Sequence, residues 1–132
     1  ETSEWFKAWT GNMAVSGEQF SIFGQDGTGG LVAFWHVRET DNILNQPIVF
    51  LGSEGEKGII AQNFQSYIWL FANGIGPYEA VAYPDFKISP SKEFVEFANE
   101  HAPNSKAMTM TIIEQAKAEF PKFEEYIDEM CC

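Results

Sequence analysis

Apolar and polar residues first alternate clearly at residues 19–23, where Phe20 and Ile22 flank Ser21. A period of two predicts a half-buried β-strand. Residues 24–30, G-Q-D-G-T-G-G, follow as a loop whose four glycines suit tight chain reversal and positive φ. Residues 31–37, L-V-A-F-W-H-V, are almost continuously apolar and predict a central strand covered on both faces. These two strands are expected to pair as a hairpin with a long tip. Residues 38–46 are polar and fit a surface connection. Residues 47–51, P-I-V-F-L, predict a third strand, with Pro47 at the first position, where its missing N–H is tolerated. Residues 52–58 read as a turn and 59–61 as a short fourth strand. Upstream, Trp5 and Trp9 stand among the loop formers Gly11, Asn12 and Gly17. Residues 1–18 are expected to be a strand or irregular segment that packs its tryptophans on the sheet.

The period then changes. Asn63 is a favourable N-cap, and Phe64, Tyr67, Ile68 and Phe71 follow i, i+3, i+4, i+7 spacing, which predicts a helix with those four residues as its buried stripe. Gly74 stands where a left-handed residue ends such a helix. Residues 76–87, with Pro77 and Pro84, read as a loop. Ser89 and Pro90 read as the N-cap and first residue of a second helix, with Phe94, Phe97, Ala98 and His101 on one face. Residues 102–104 break it. A third helix is expected over 108–119 with Ile112, Ile113 and Ala116 inward. Pro121 restarts the chain into a last short helix bearing Phe123, Tyr126 and Ile127. Strands first and helices afterwards argue an α+β fold. The expected architecture is a mostly antiparallel sheet of about four to six strands flanked by helices, which concentrate in the C-terminal half. One domain over residues 1–130 is expected, with 131–132 a disordered tail.

Length agrees, since 132 residues suit one domain. With 12 Phe and 4 Trp, the core can be built from bulky rings. The formal net charge of −11 changes the picture more. Such a surface repels DNA, RNA and anionic lipid, so neither nucleic acid nor membrane is expected as partner. A partner selected by charge would be a basic protein. From Glu93 onward, nine carboxylates face three lysines, with Glu124, Glu125, Asp128 and Glu129 clustered. That run reads as a solvated helix face or as a docking face for a cationic partner. No apolar run approaches the ~20 residues of a membrane span. The chain opens at Glu1 without a methionine, and further residues upstream are expected. The adjacent Cys131 and Cys132 can neither staple a fold nor offer metal-ligand spacing. Without a disulfide framework, a reducing, cytoplasmic compartment is expected.

Candidate chemistry is sparse. In Leu51-Gly52-Ser53-Glu54-Gly55, leucine replaces the first glycine of a nucleophile elbow, so a hairpin turn is the better reading. The 24–30 loop lacks the G-K-[S/T] ending of a phosphate loop and leads into a strand. It offers one carboxylate, Asp26, where a calcium loop needs a spaced series. His36 lies in an apolar run and His101 ends a helix; neither has a partner at zinc-ligand spacing. Neither a metal nor another cofactor is expected, and the function class expected is non-enzymatic.

Taken together, F-x-I-F-G-x-D-G-T-G-G-x-x-A-F-W, then P-I-V-F-L-G-S-E-G, then N-F-x-x-Y-I-W-L-F-A-N-G, resemble the SUKH superfamily over residues 20–74. The residues that carry the likeness are Phe23-Gly24, Asp26-Gly27, Gly29-Gly30, Trp35, Pro47-Ile48, Glu54-Gly55 and Phe64. That superfamily includes many bacterial immunity proteins and a fungal regulator of cell-wall synthesis. The resemblance implies an α+β fold and a binding role, typically the neutralisation of a toxin, often a nuclease, by direct contact. It supplies no catalytic residue. An acidic surface is suited to covering a nuclease's cationic cleft. The partner is thus expected to be a basic protein, a toxin domain, with the oligomeric state open and a dimer among the options. Asp26, Glu54, Glu56 and Asp85, all in turns and loops, are the expected contacts. Two other readings stay open: a regulatory or scaffold module without a toxin partner, and an enzyme using His36 or His101 beside a carboxylate.

Overall fold

Four strands form an antiparallel meander: β1 (Phe20–Gln25), β2 (Leu31–Trp35), β3 (Ile48–Leu51) and β4 (Lys57–Ala61), neighbours in space as in sequence. They come from a computed structural model that describes residues 20–25, 30–52, 56–82 and 92–130. The expected N-terminal segment with Trp5 and Trp9, the Ser89–Pro90 helix start and the Cys131–Cys132 tail lie outside the described residues.

The period of two sorts the apolar side chains onto two faces. Val32, Phe34, Ile48, Phe50 and Ile60 face one way. Phe20, Ala33, Trp35, Val49, Leu51 and Ile59 face the other. β2 and β3 are therefore apolar at nearly every position, as a sheet covered on both sides requires. β1 runs two residues past its expected end. A bulge between Ile22 and Gly24 lets pairing continue to Gly24↔Val32 and Gln25↔Leu31. β4 starts two residues early, at Lys57.

Glycine is needed here more for space than for φ. A Cβ on Gly30 would lie 2.5 Å from the Phe50 ring and 2.9 Å from the Gly52 backbone. β2 ends earlier than its apolar run because Gln46 takes over from the ladder. Its Oε1 accepts from the backbone N–H groups of Val37 and Arg38 at 3.1 and 2.9 Å, and its Nε2 donates to the Arg38 carbonyl at 2.7 Å. Gln46 is buried, and these bonds use its polar atoms.

The helices are α1 (Phe64–Ala72), α2 (Pro77–Ala82), α3 (Lys92–His101), α4 (Thr109–Glu119) and α5 (Phe123–Met130). Short 3₁₀ turns occupy Ile43–Asn45 and Pro103–Ser105. Asn63 caps α1 as expected, its side chain accepting from Ser66 N–H at 2.9 Å. The other end closes in a Schellman arrangement. Gly74 has φ 88°, its N–H donates to the Phe71 carbonyl, and the Ile75 N–H donates to the Leu70 carbonyl. The loop expected over 76–87 is instead helical through Pro77–Ala82. Proline costs nothing at a first helical position, where the N–H has no intrahelical partner.

One sheet face is covered by α1 with α2 and α3. The other meets α5 through Phe123 and Ile127. Between them α4 runs along β4. Its Ile112 and Ile113 join the first cluster and its Ala116 the second, so this helix shields the β4 edge while carrying the chain around it. Lys57 of β4 pairs with Asp128 of α5 at 2.8 Å. The sequence reading of α4 and α5 agrees residue for residue at Ile112, Ile113, Ala116, Phe123 and Ile127. Among the described residues, no helix is long and apolar enough to cross a membrane.

The buried Trp69 indole donates to the Ala102 carbonyl at 2.7 Å, tying α1 to the end of α3, and Lys106 covers its ring face. Replacing Trp69→Phe removes that donor from a buried site, and urea unfolding is expected to show a loss of about 1–3 kcal/mol. Gly74→Ala, which forces a Cβ into the left-handed region, is expected to cost about 1–2 kcal/mol in the same assay.

Candidate functional site

The residues of α1 expected to be buried form one wall of an open groove. Phe64, Tyr67, Ile68 and Phe71 all line it, and only Tyr67 among them is fully buried. The side of α1 turned into the core carries Trp69, Leu70 and Ala72 instead. This helix is apolar on nearly every side, F-Q-S-Y-I-W-L-F-A, so spacing alone offered two stripes. The run W-L-F-A was the available clue, because an all-round apolar helix must be covered on more than one side.

The opposite wall is α3. Its expected inward face was Phe94, Phe97, Ala98 and His101, yet only Ala98 is buried. α3 rests on the core through small residues, Ala98 and then Ala102 just past its end, with Val95 partly buried. Its two phenylalanines are left above the groove. Exposure is 39% at Phe23, 38% at Phe71, 52% at Phe94 and 49% at Phe97, well beyond what a core ring shows.

β1 and β2 supply the floor through Phe23, Gly24, Gln25 and Val32. The β1 bulge helps, since it sits at the step that places Phe23 against the α1 rings. Phe23 packs on Phe34 at 4.6 Å between centroids and meets the Tyr67 ring edge-on at 5.6 Å. Tyr67 in turn meets Phe71 edge-on at 5.0 Å, and Phe71 reaches Phe94 at 6.1 Å. A continuous aromatic path thus runs from the sheet to α3. The groove encloses about 820 Å³, within the size range of ligand clefts. Among the described residues, the charged residue lining it is Glu93, at the start of α3. A second carboxylate lies close to a different lining residue: Glu79 Oε1 is 2.6 Å from where a Cβ on Gly76 would be, and Gly76 lines the groove.

Three of the four expected contact residues, Asp26, Glu54 and Asp85, lie outside the described residues. The fourth, Glu56, begins the return into β4, where its carbonyl accepts from Gly52 N–H at 2.6 Å and its side chain folds over Gly52. Gln25, Leu31, Leu51 and Lys57 are in register, so Glu56 shares one end of the sheet with the groove floor but does not line the groove.

The histidines sit elsewhere. His36 Nε2 and Ser21 Oγ are 2.6 Å apart on the exposed sheet surface, at the far end of β1. His101 stacks on Phe97 at 4.3 Å and lies 3.9 Å from Glu100. Neither lines the groove or the smaller hollow of about 350 Å³ beside Trp35, Phe120 and Tyr126 on the opposite face. Among the described residues, no group of His, Cys, Asp or Glu could hold a metal ion. No family model, no curated protein and no solved structure matches the chain.

The groove rings contribute little to the fold compared with the core rings. Phe94→Ser is expected to cost about 1 kcal/mol in urea unfolding, because the ring is half in water already. Phe123→Ala, at a fully buried ring, is expected to cost about 3–5 kcal/mol. The neutral dye Nile red should brighten on the folded protein, and combining Phe94→Ser with Phe97→Ser should remove most of that signal.

Proposed function

We propose that this protein is a non-enzymatic binding protein that neutralises a basic protein, a cognate bacterial toxin, by direct contact in the cytoplasm. The observation that carries the reading is an open aromatic groove on a chain of net charge −11. Exposed aromatic surface of this kind marks interaction sites in folded proteins. A strongly negative exterior steers a cationic partner into encounter and repels nucleic acid that would compete for it. The likeness of residues 20–74 to the SUKH superfamily supports the same reading, because its members typically act by covering a toxin.

The exposed carboxylates are numerous enough to form a field. Glu93, Glu96 and Glu100 stand on α3, and Glu124, Glu125, Asp128 and Glu129 on α5. A toxin nuclease offers a positive cleft for its substrate, and an anionic surface is a physical competitor for that cleft. In this role the protein binds and does no chemistry.

Co-expression with the toxin encoded beside its gene is expected to restore growth, and the purified pair is expected to associate more slowly as salt rises, since the steering charges are screened beyond about 10 Å at 0.1 M. Equal killing with and without the protein would sink the proposal.

A further inference from the structure

The groove has two chemically distinct parts, an aromatic interior and an anionic margin. Phe23 lies in the floor, Tyr67 and Phe71 in one wall and Phe94 in the other. Glu93 lines the groove, and Glu79 packs over Gly76, another of its lining residues. We infer that this groove docks an amphipathic, cationic segment of a protein partner. A large apolar side chain of that segment sits among the rings, and its lysines or arginines face Glu93 and Glu79. The inference rests on the binding-protein reading above and names the surface and the partner chemistry.

Charge selects among the occupants. A fatty acid would fill the apolar volume but bring its carboxylate towards two others, and like charges disfavour one another. A second copy of the chain would bring another net charge of −11 to the same face. A cationic amphipathic segment alone satisfies both parts, and laying an apolar stripe into a groove between helices is an established way to bind one. The energetics fit an anchor site as well. Half-exposed rings lose their remaining water only when a partner covers them, which is where binding energy concentrates.

The test uses the intact chain and two labelled helical peptides of equal length and identical leucine stripe, one with lysine on its polar face and one with glutamate. Fluorescence polarisation is expected to show binding of the leucine–lysine peptide and none of the leucine–glutamate peptide. Phe94→Ser with Phe97→Ser is expected to weaken binding by about thirtyfold. Glu79→Gln with Glu93→Gln is expected to weaken it by about fivefold at low salt and to flatten its salt dependence. Glu124→Gln with Glu125→Gln, on α5, leaves affinity within about twofold. Circular dichroism and urea unfolding confirm that each variant is folded.

The inference is overturned if the α5 pair weakens binding as much as the groove variants, or if the glutamate peptide binds equally well. It is equally overturned if decanoate fills the groove in preference to peptide, if a dimer forms that Phe94→Ser abolishes, or if magnetic resonance places residues 1–19 against Phe94. The two readings fail separately. Full toxin neutralisation by the Phe94→Ser, Phe97→Ser variant removes the groove from the interface and leaves the neutraliser standing. A toxin untouched by the native chain removes the neutraliser, whatever the peptides do.

Discussion

The hydrogen bond from the Trp69 indole to the Ala102 carbonyl fixes how the helices sit on the sheet. A buried indole N–H needs an acceptor, and the carbonyl just past α3 provides it. The same oxygen accepts from Ser105 N–H at 3.2 Å, so both of its lone pairs are used. The bond joins α1 to the far end of α3, while Phe94 and Phe97, on either side of the partly buried Val95, keep their rings about half exposed. Seating through alanines at Ala98 and Ala102 brings the helix close without burying its phenylalanines. The groove thus follows from where α3 is fastened.

The second constraint is the doubly apolar sheet. Four strands whose side chains alternate between two hydrophobic faces need cover on both sides. Three helices cover one face and α5 the other, and α4 makes the transfer along β4. Ile112 and Ala116 share one face of this helix but stand a turn apart along its axis, so as the helix runs past the β4 edge they meet different clusters. Arg38 reinforces the junction from the β2–β3 connection. Its guanidinium donates to the carbonyls of Asn45 and Gln62 and to the Glu119 carboxylate at the end of α4.

Much of this was legible in the amino-acid order. Strands β1 to β4, the Asn63 cap, the Gly74 terminator and the inward residues of α4 and α5 all follow from local pattern, because each is dictated by neighbours within a few positions. The α2 helix was missed because Pro77 reads as a breaker unless its place at the first helical position is known. The groove was missed for a different reason. Spacing identifies an apolar stripe but not what covers it, and α1 and α3 each carry apolar residues that tertiary packing leaves in water. Whether Phe71 and Phe94 meet a core or the solvent depends on a tryptophan bond spanning Trp69 to Ala102, which no local window contains. The charged loop residues Asp26, Glu54, Glu56 and Asp85 were chosen by loop chemistry, and Glu56 stands at the same sheet end as the groove floor without entering it.

The shallow seating of Phe94 and Phe97 also bears on how the protein can change over generations. Most substitutions are purged when they drop a protein below its stability threshold. Side chains that the scaffold hardly relies on escape that filter, so the groove's shape and charge can drift while Trp69, Phe50 and Phe123 hold the rest in place. A lineage pressed to recognise altered partners would find its variation tolerated at this wall and forbidden a turn of helix away.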